Sequence, residues 1–517
     1  MKESRVKKSL LNARVNLLCY FVSLVVAFFT RKIFLDRLGT EFIGFTGTLQ
    51  SLLGFLNLAE LGVGSAIGYV LYKPIFDEDH DKINEIISVF GYLYRCIGWF
   101  ILGAGIILSC FLPFIFPATS FSWGVIYLGF YSYLASSMLT YFANYKMTLL
   151  SADQRNYVVM GYYQFVVSTK MLTQMGLAYY VCSFPLFLII ELLFGCIYSI
   201  ILNIRIRQVY PWLDANVQQG RRLFTKYPEI WKYIKQLFVH KIGSFVQSQL
   251  TPFLIYSYVA MPMVALYGNY TLITQKLQGL MCSILDSTNA GVGNLIAQGN
   301  SDYIYQNFKE LLSLRFFCSG FFCIVTYFLI NPLIEVWLGA QYQLSSAIVF
   351  LIVLHLYLCM LRGVTDQFLF GYGLFYDVWA PITEAVIFVI TAMVGGRLFG
   401  LRGVLAGPIV SLLIIVYIWK PYFLFTKGFR RSVWKYWLLL AFHIAIGFMI
   451  GYLTYYIFSY CTVARYVASS WSNLLYGSCI YISICFVCYF PIQMLISSSF
   501  RKIVFKLLRQ IIYKHSK

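Results

Sequence analysis

Ionisable side chains lie inside long apolar runs of this 517-residue chain, where they could bind an ion of opposite charge. Even on lenient scales, a Lys, Arg or Asp at the centre of a membrane helix costs about 2.5 to 3.5 kcal/mol, so these groups must face protein or water. Arg31 and Arg37 also permit snorkelling to head groups, which is difficult for the centrally placed Lys170 and Lys276. The candidate cations of a polar cavity are Arg31, Arg37, Arg95, Lys170 and Lys276.

Carboxylates occur in the same apolar runs, and each has two interpretations. Glu60 in AELGVG and Asp286, which also precedes a Gly-Val-Gly, either pin helices together through an ion pair or line a cavity. For Glu191 and Glu384 the two interpretations are equally favoured. Glu60 also belongs to a polar stripe at helical spacing, formed by Thr46, Gln50, Asn57, Glu60 and Gly64.

The composition identifies the surroundings of these groups. The chain is 60% hydrophobic and 12% charged, whereas a soluble domain carries roughly 25% charged residues. Apolar runs of about twenty residues, long enough to cross about 30 Å of hydrocarbon as a helix, recur along the whole sequence. The sequence therefore predicts an all-α, polytopic membrane protein with about fourteen transmembrane helices.

Basic residues indicate the orientation in the membrane. They are concentrated in the N-terminal arm, in residues 205–241 and in residues 501–517, whereas loops near Pro113, Ser183, Met261 and Asn331 contain no Lys or Arg. The positive-inside rule then predicts cytoplasmic N and C termini and an even number of spans. The first run is expected to remain as a signal anchor. Cytoplasmic loops facing anionic lipid also account for the net charge of +20, so membrane lipids rather than nucleic acid are the predicted partner.

No motif predicts catalysis, a metal site or a bound cofactor. The five histidines are scattered, and the C-x-x-C of Cys485 and Cys488 lies within an apolar run, which favours packing. The acidic loop FDEDHDK, residues 76–82, could be read as the D-x-D of a nucleotide-sugar transferase. Carboxylates that cap the next helix are the favoured interpretation, because Asp and Glu stabilise helix N-termini.

An internal repeat predicts the domain organisation. Shifting the chain by about 225 residues places Glu60 on Asp286 and the first Gly-Val-Gly on the second. Six predicted spans separate the copies, so both enter the membrane in the same direction and are related by a pseudo-two-fold axis along its normal. The prediction is a six-helix lobe over 1–210, a basic cytoplasmic linker over 211–235, a second six-helix lobe over 236–427, and two further transmembrane helices with a basic tail over 428–517. Paired lobes of this kind enclose a site and alternate its access.

Two segments carry a family resemblance. FFTRKIFLDRLGTEFIGF, residues 28–45, and LNLAELGVGSAIGYVLYKP, residues 56–74, resemble the start of bacterial Wzx-type polysaccharide flippases of the multidrug/oligosaccharidyl-lipid/polysaccharide (MOP) exporter superfamily, whose MATE-like fold has two lobes. The specific motif is confined to the first two spans, with Arg31 and Glu60 matching it best. The remainder of the chain matches in span count and in lobe duplication.

The resemblance implies movement of undecaprenyl-diphosphate-linked oligosaccharides from the cytoplasmic to the periplasmic leaflet of the bacterial inner membrane, for O-antigen or capsule synthesis. It implies a monomeric transporter that is not an enzyme, with a polysaccharide polymerase and glycosyltransferases as partners. The five cations would then pair with diphosphate. Glu60 and Asp286 would serve lobe packing or coupling to sodium or protons. The alternatives are a multidrug/cation antiporter of the same superfamily and, less favoured, a membrane glycan polymerase.

Overall fold

A computed structural model describes residues 5–60, 62–117, 119–153, 155–285, 292, 295–296, 299–374, 376–461 and 467–515. Within these ranges the chain forms helices and turns, without a strand. The chain divides into two compact units, Met1–Ala265 and Leu266–Lys517. The all-α class expected from the sequence is confirmed.

Ten helices make up the first unit, and an eleventh crosses the division between the units. They are α1 (Arg5–Leu56), α2 (Val63–Asp77), α3 (His80–Cys110), α4 (Leu112–Ile115), α5 (Trp123–Phe142), α6 (Met147–Ala152), α7 (Asn156–Tyr180), α8 (Phe184–Val209), α9 (Gly220–Phe224), α10 (Pro228–Tyr258) and α11 (Met261–Leu285). A short 3₁₀ helix, Asn57–Glu60, lies between α1 and α2.

Among the described residues of the second unit, nine further α-helices have defined bounds, and two stretches of π-helix span Leu412–Trp419 and Leu424–Phe429. The α-helices are α12 (Ser301–Trp337), α13 (Ser346–Leu361), α14 (Gly363–Gly371), α15 (Trp379–Phe399), α16 (Leu401–Ser411), α17 (Lys420–Phe423), α18 (Trp434–Ser459), α19 (Trp471–Ile496) and α20 (Ser498–His515).

Hydropathy and helix length agree on a membrane location. In the part of the chain that the structure describes, nine helical segments are long and apolar enough to cross a bilayer. Large apolar side chains on these segments remain exposed, as a lipid-facing surface requires. The protein is therefore a multi-pass membrane protein, and the count of fourteen spans remains a prediction.

Two glycines break the helices that carry the N-terminal motif. Gly39 interrupts α1 with φ 83° and ψ 163°, and Gly62 has φ 90° just before α2. Positive φ is readily adopted only by glycine. Because the α-helix ends at Leu56 and continues from Val63, the polar stripe proposed from residue 46 to residue 64 does not follow one α-helical face. This part of the sequence interpretation is corrected.

The two units divide at a different place from the lobes expected from the sequence. The helix α10, assigned to the second lobe, packs on α1 and α2 within the first unit. Part of the predicted linker packs on α3, where Lys226 forms an ion pair with Glu85 at 2.7 Å. Compact units defined by contacts are not the same as transmembrane lobes, so the predicted boundaries at 210, 235 and 427 remain predictions.

The acidic loop, residues 76–82, caps the helix that follows it, as the sequence predicts. The side chain of Asp79 caps α3 by accepting a hydrogen bond from the backbone N–H of Lys82 at 3.0 Å. That hydrogen bond to the backbone lowers the pKa of Asp79. The capping interpretation is confirmed.

The core of the second unit is aromatic, and its helices approach closely at glycines. Phe308 meets Phe368 and Phe429 with ring centroids 5.2 Å and 5.0 Å away. A Cβ on Gly403 would lie 1.8 Å from the carbonyl oxygen of Gly395, so α15 and α16 pack backbone against backbone. The two π-helical stretches follow α16 and set the directions of the side chains between residues 412 and 429.

Candidate functional site

Glu60 lies at the helix break of the first unit, and two buried tyrosines hold its carboxylate. The hydroxyl of Tyr94 on α3 donates to Glu60 Oε1 at 2.5 Å, and that of Tyr141 on α5 donates to Oε2 at 2.7 Å. Both tyrosines are almost completely buried, at 2% and 1% exposure. The break at Gly62 thus directs the carboxylate of Glu60 into the packed space between three helical segments.

Further oxygen atoms surround this carboxylate. Asn57 Oδ1 lies 3.0 Å from the hydroxyl of Tyr141 and 3.4 Å from the hydroxyl of Ser137. Two phenolic hydroxyls thus donate to the carboxylate of Glu60, one to each oxygen. The same cluster of carboxylate, amide and hydroxyl oxygens suits a proton or a hard cation. The sequence singled out Glu60 and Asn57 but not the two tyrosines, which the tertiary packing of α3 and α5 brings to them.

Lys170 and Glu191 form an ion pair between α7 and α8. Lys170 Nζ lies 2.6 Å from Glu191 Oε1, and both side chains are 16% exposed. Tyr133 interacts electrostatically with the same carboxylate and forms a hydrogen bond with Gln50. The structure therefore brings one predicted cation to one predicted carboxylate, and neutralisation by Glu191 reduces the availability of Lys170 for a substrate anion.

We expect Lys170→Gln to lower the free energy of unfolding by about 2 kcal/mol, because it leaves the partly buried Glu191 without its partner. The double variant Lys170→Gln/Glu191→Gln is expected to recover most of this loss. Unfolding of the unmodified protein, Lys170→Gln, Glu191→Gln and the double variant in mixed detergent micelles measures the coupling energy of the pair. Additive effects of the two single substitutions would show that the pair is not coupled in the membrane protein.

The other predicted cations occupy separate positions. Arg31 donates from Nη2 to the carbonyl oxygen of Ala265 at 2.9 Å, within the first unit. Arg37 lies over the ring of Tyr179, with Cζ 4.5 Å from the centroid. Lys276 is partly buried on α11.

Arg95 lies on the exposed face of α3, beside the large exposed side chains of Trp99 and Phe100. At this exposed position the guanidinium can contact an anionic group outside the protein, either a lipid head group or a substrate diphosphate. The assignment of all five cations to a substrate cavity remains a prediction.

The two remaining carboxylates have different outcomes. Asp286 lies outside the described residues. Glu384 on α15 is buried in the second unit, at 4% exposure, and interacts electrostatically with Arg362. Arg362 is thus the partner that a packing role of Glu384 would use, whereas the location of Glu384 in a cavity remains a prediction.

A partly buried charge network in the second unit was not singled out from the sequence. Asp366 on α14 accepts from Arg362 Nε and from Lys420 Nζ, each at 2.8 Å. The i, i+4 spacing of Arg362 and Asp366 was a readable signal of a helical ion pair. Lys420 reaches the pair only through packing, from the segment between the two π-helical stretches. The network holds α14 against the end of the span Leu401–Phe429.

Comparison with known proteins identifies the fold. No family model and no curated protein sequence matches the chain. A solved structure of the lipid II flippase MurJ in an inward closed conformation matches with a TM-score of 0.61 at 14% identity, over 96% of this chain and 100% of that chain. This chain therefore shares the fold of that flippase structure over nearly its whole length.

A second solved structure supports the same fold. An inward-facing multidrug resistance MATE family transporter of the MOP superfamily matches with a TM-score of 0.55 at 12% identity, covering 80% of this chain and 97% of that chain. The two matches show a shared helical transporter fold, and membership in the superfamily named from the sequence resemblance remains a prediction.

Proposed function

We propose that the protein translocates a lipid-linked oligosaccharide carried on a diphosphate, of the undecaprenyl-diphosphate type, from the cytoplasmic to the outer leaflet of a bacterial cytoplasmic membrane. A Wzx-type role in O-antigen or capsule synthesis is the specific form of this proposal. The observation that carries it is the full-length match to a flippase of a lipid-linked substrate, which covers 96% of this chain. The match to the multidrug transporter covers 80%.

The proposal follows from the properties of such a substrate. An isolated diphosphate and several sugars cannot enter hydrocarbon, because burial of uncompensated charge is prohibitive. Arginine and lysine side chains offer the compensating charge, and arginine can contact phosphate oxygens in a bidentate manner. In this scheme Arg31, Arg37, Arg95, Lys170 and Lys276 serve the diphosphate at successive positions of the transport cycle. The polyprenyl tail need not leave the apolar phase.

An apolar cavity in the second unit suits such a tail. It has a volume of about 380 Å³ and is lined by side chains of α12, α13, α18 and α19. Small residues form part of its wall, including Gly320, Gly447 and Gly451, and aliphatic side chains together with aromatic rings such as Tyr327 and Phe448 form the remainder. We assign to it a section of the polyprenyl chain.

Glu60 is proposed as the coupling group. Its carboxylate lies at a helix break and between three segments, so uptake of a proton or sodium ion there would change the hydrogen bonds that join α3 and α5. A change at this position would alter the packing of the first unit as a whole. A packing role of Glu60, which the sequence also predicts, would use the same contacts. In that role the charge of Glu60 would not affect the rate of transport.

Export of organic cations is the second candidate. The oxygen-rich and aromatic surroundings of Glu60 favour it, because carboxylates and tyrosine rings attract cations.

Proteoliposomes distinguish the two functions. The protein is reconstituted with a fluorescent undecaprenyl-diphosphate-linked oligosaccharide in one preparation and with a fluorescent organic cation in another. We expect protein-dependent movement of the glycolipid head between leaflets and no protein-dependent transport of the cation. Transport of the cation alone would overturn the proposal in favour of the antiporter.

A further inference from the structure

A second cavity of the Leu266–Lys517 unit lies at the ends of two candidate membrane spans. Its volume is about 400 Å³. Trp379, on its wall, is the first residue of the span Trp379–Phe399, and Tyr422 and Lys427 lie in the last turns of the span Leu401–Phe429. The cavity therefore opens where the apolar part of each helix meets the polar surface of the membrane. The basic residues that follow, up to Lys435, place this surface on the predicted cytoplasmic side.

Aromatic rings form most of the cavity wall. The rings of Trp379 and Trp419 have centroids 4.6 Å apart and planes at 62°, and those of Tyr376 and Phe423 have centroids 4.9 Å apart and planes at 79°. Rings at such steep angles present several faces to a common space, and ring faces attract cations. Tyr376 and Trp379 remain 61% and 46% exposed, so a ligand has access to these faces.

Asp377 supplies a negative charge to the same cavity. Its side chain is buried, at 8% exposure, and accepts a hydrogen bond from Trp419 Nε1 at 3.2 Å. Within the described ranges, no Lys, Arg or His side chain lies within ion-pair distance of it, in contrast to Asp366 with its two cations. A buried carboxylate without a cation is costly. A belt of aromatic residues at the membrane surface would explain the exposed rings but not this carboxylate.

The charges define the chemistry of the ligand. Lys427 lines the cavity from an exposed position and is suited to a phosphate. An ammonium group that carries N–H donors can both hydrogen-bond to Asp377 and lie against the rings, whereas a quaternary ammonium has no donor. Because the cavity opens at the membrane surface, the ligand can keep its acyl chains in the bilayer.

We propose that this cavity binds the head group of an aminophospholipid of the phosphatidylethanolamine type. The primary ammonium lies on Asp377 and the rings of Trp379 and Trp419, and the phosphate lies against Lys427. The site is distinct from the cations assigned to the transported diphosphate, and it does not depend on the proposed transport function. Its occupant is a resident lipid that holds the start of α15 to the end of the span Leu401–Phe429 at the membrane surface.

Native mass spectrometry of the full-length protein tests the proposal. Delipidated protein in detergent is titrated with phosphatidylethanolamine, phosphatidylcholine and phosphatidylglycerol of identical acyl chains. We expect phosphatidylethanolamine to bind at least tenfold more tightly than either of the others, and Asp377→Asn to abolish this preference. Trp434→Phe, which changes an exposed tryptophan elsewhere in the second unit, is the matched control and should retain it.

A second variant keeps the test decisive if Asp377→Asn fails to fold. Lys427→Gln alters an exposed side chain, and we expect it to weaken phosphatidylethanolamine binding about fivefold with unchanged thermal stability. Equal affinity for the three lipids in the unmodified protein would overturn the proposal. Undiminished binding by Lys427→Gln, or displacement of the lipid by a soluble oligosaccharide, would also overturn it.

Discussion

Replacing Asp366 with asparagine is expected to lower the free energy of unfolding by about 3 kcal/mol. The substitution removes the carboxylate that neutralises both Arg362 and Lys420, and loss of one partner from a buried ion pair typically costs 3 to 5 kcal/mol. We place the effect at the lower limit because the side chain of Asp366 is 26% exposed. Unfolding in mixed detergent micelles, followed by circular dichroism, measures it.

The matched control is Asp302→Asn. Asp302 also pairs with an arginine, Arg431, but its side chain is 89% exposed. Exposed ion pairs contribute little to stability, so the control should unfold at nearly the same detergent concentration as the unmodified protein. Equal destabilisation by the two substitutions would show that burial of the Asp366 network is not what makes it important.

Glu60→Gln is expected to reduce transport at least tenfold while the protein still folds. Glutamine has nearly the same shape and keeps one carbonyl oxygen for Tyr94 or Tyr141, but it cannot carry the negative charge or take up a cation. The loss should therefore appear in the rate at which the substrate crosses the membrane, measured in proteoliposomes at matched protein content.

Glu41→Gln is the control for this substitution. Glu41 also accepts hydrogen bonds, from the backbone N–H and the hydroxyl of Ser120, but at an exposed position of the same unit. It should keep a transport rate within twofold of the unmodified protein. If Glu60→Gln transports at the normal rate, Glu60 has only the packing role; if it fails to fold, packing is again its main role.

The fold class was predictable because it depends on properties that accumulate along the chain. Apolar runs and a scarcity of charge require helices in a membrane, since every backbone N–H and C=O must be satisfied within its own segment. The capping role of Asp79 was predictable for a similar reason, because it depends on neighbours in sequence. Local patterns thus predict both the membrane environment of the chain and the ends of helices.

The site was predictable only in part, because its contacts join distant residues. Glu60 was found from its improbable charge, but Tyr94 and Tyr141 are 34 and 81 residues away in sequence. The helix break at Asn57–Glu60 depends on backbone angles that hydropathy does not encode. Lys420 joins Asp366 across 54 residues, next to π-helical turns that change the direction of side chains. Spacing alone cannot give such contacts.

The dependence of the flipping rate on the diphosphate is the most direct test of whether cationic side chains move a charged head group across the membrane. Two glycolipids with the same polyprenyl tail and sugars, one with the diphosphate and one with a neutral linkage, are compared in the same proteoliposomes. A membrane-impermeant lectin reports how fast each head reaches the outer leaflet. We predict at least tenfold faster flipping of the diphosphate form in the presence of the protein. Equal rates for the two glycolipids would contradict it.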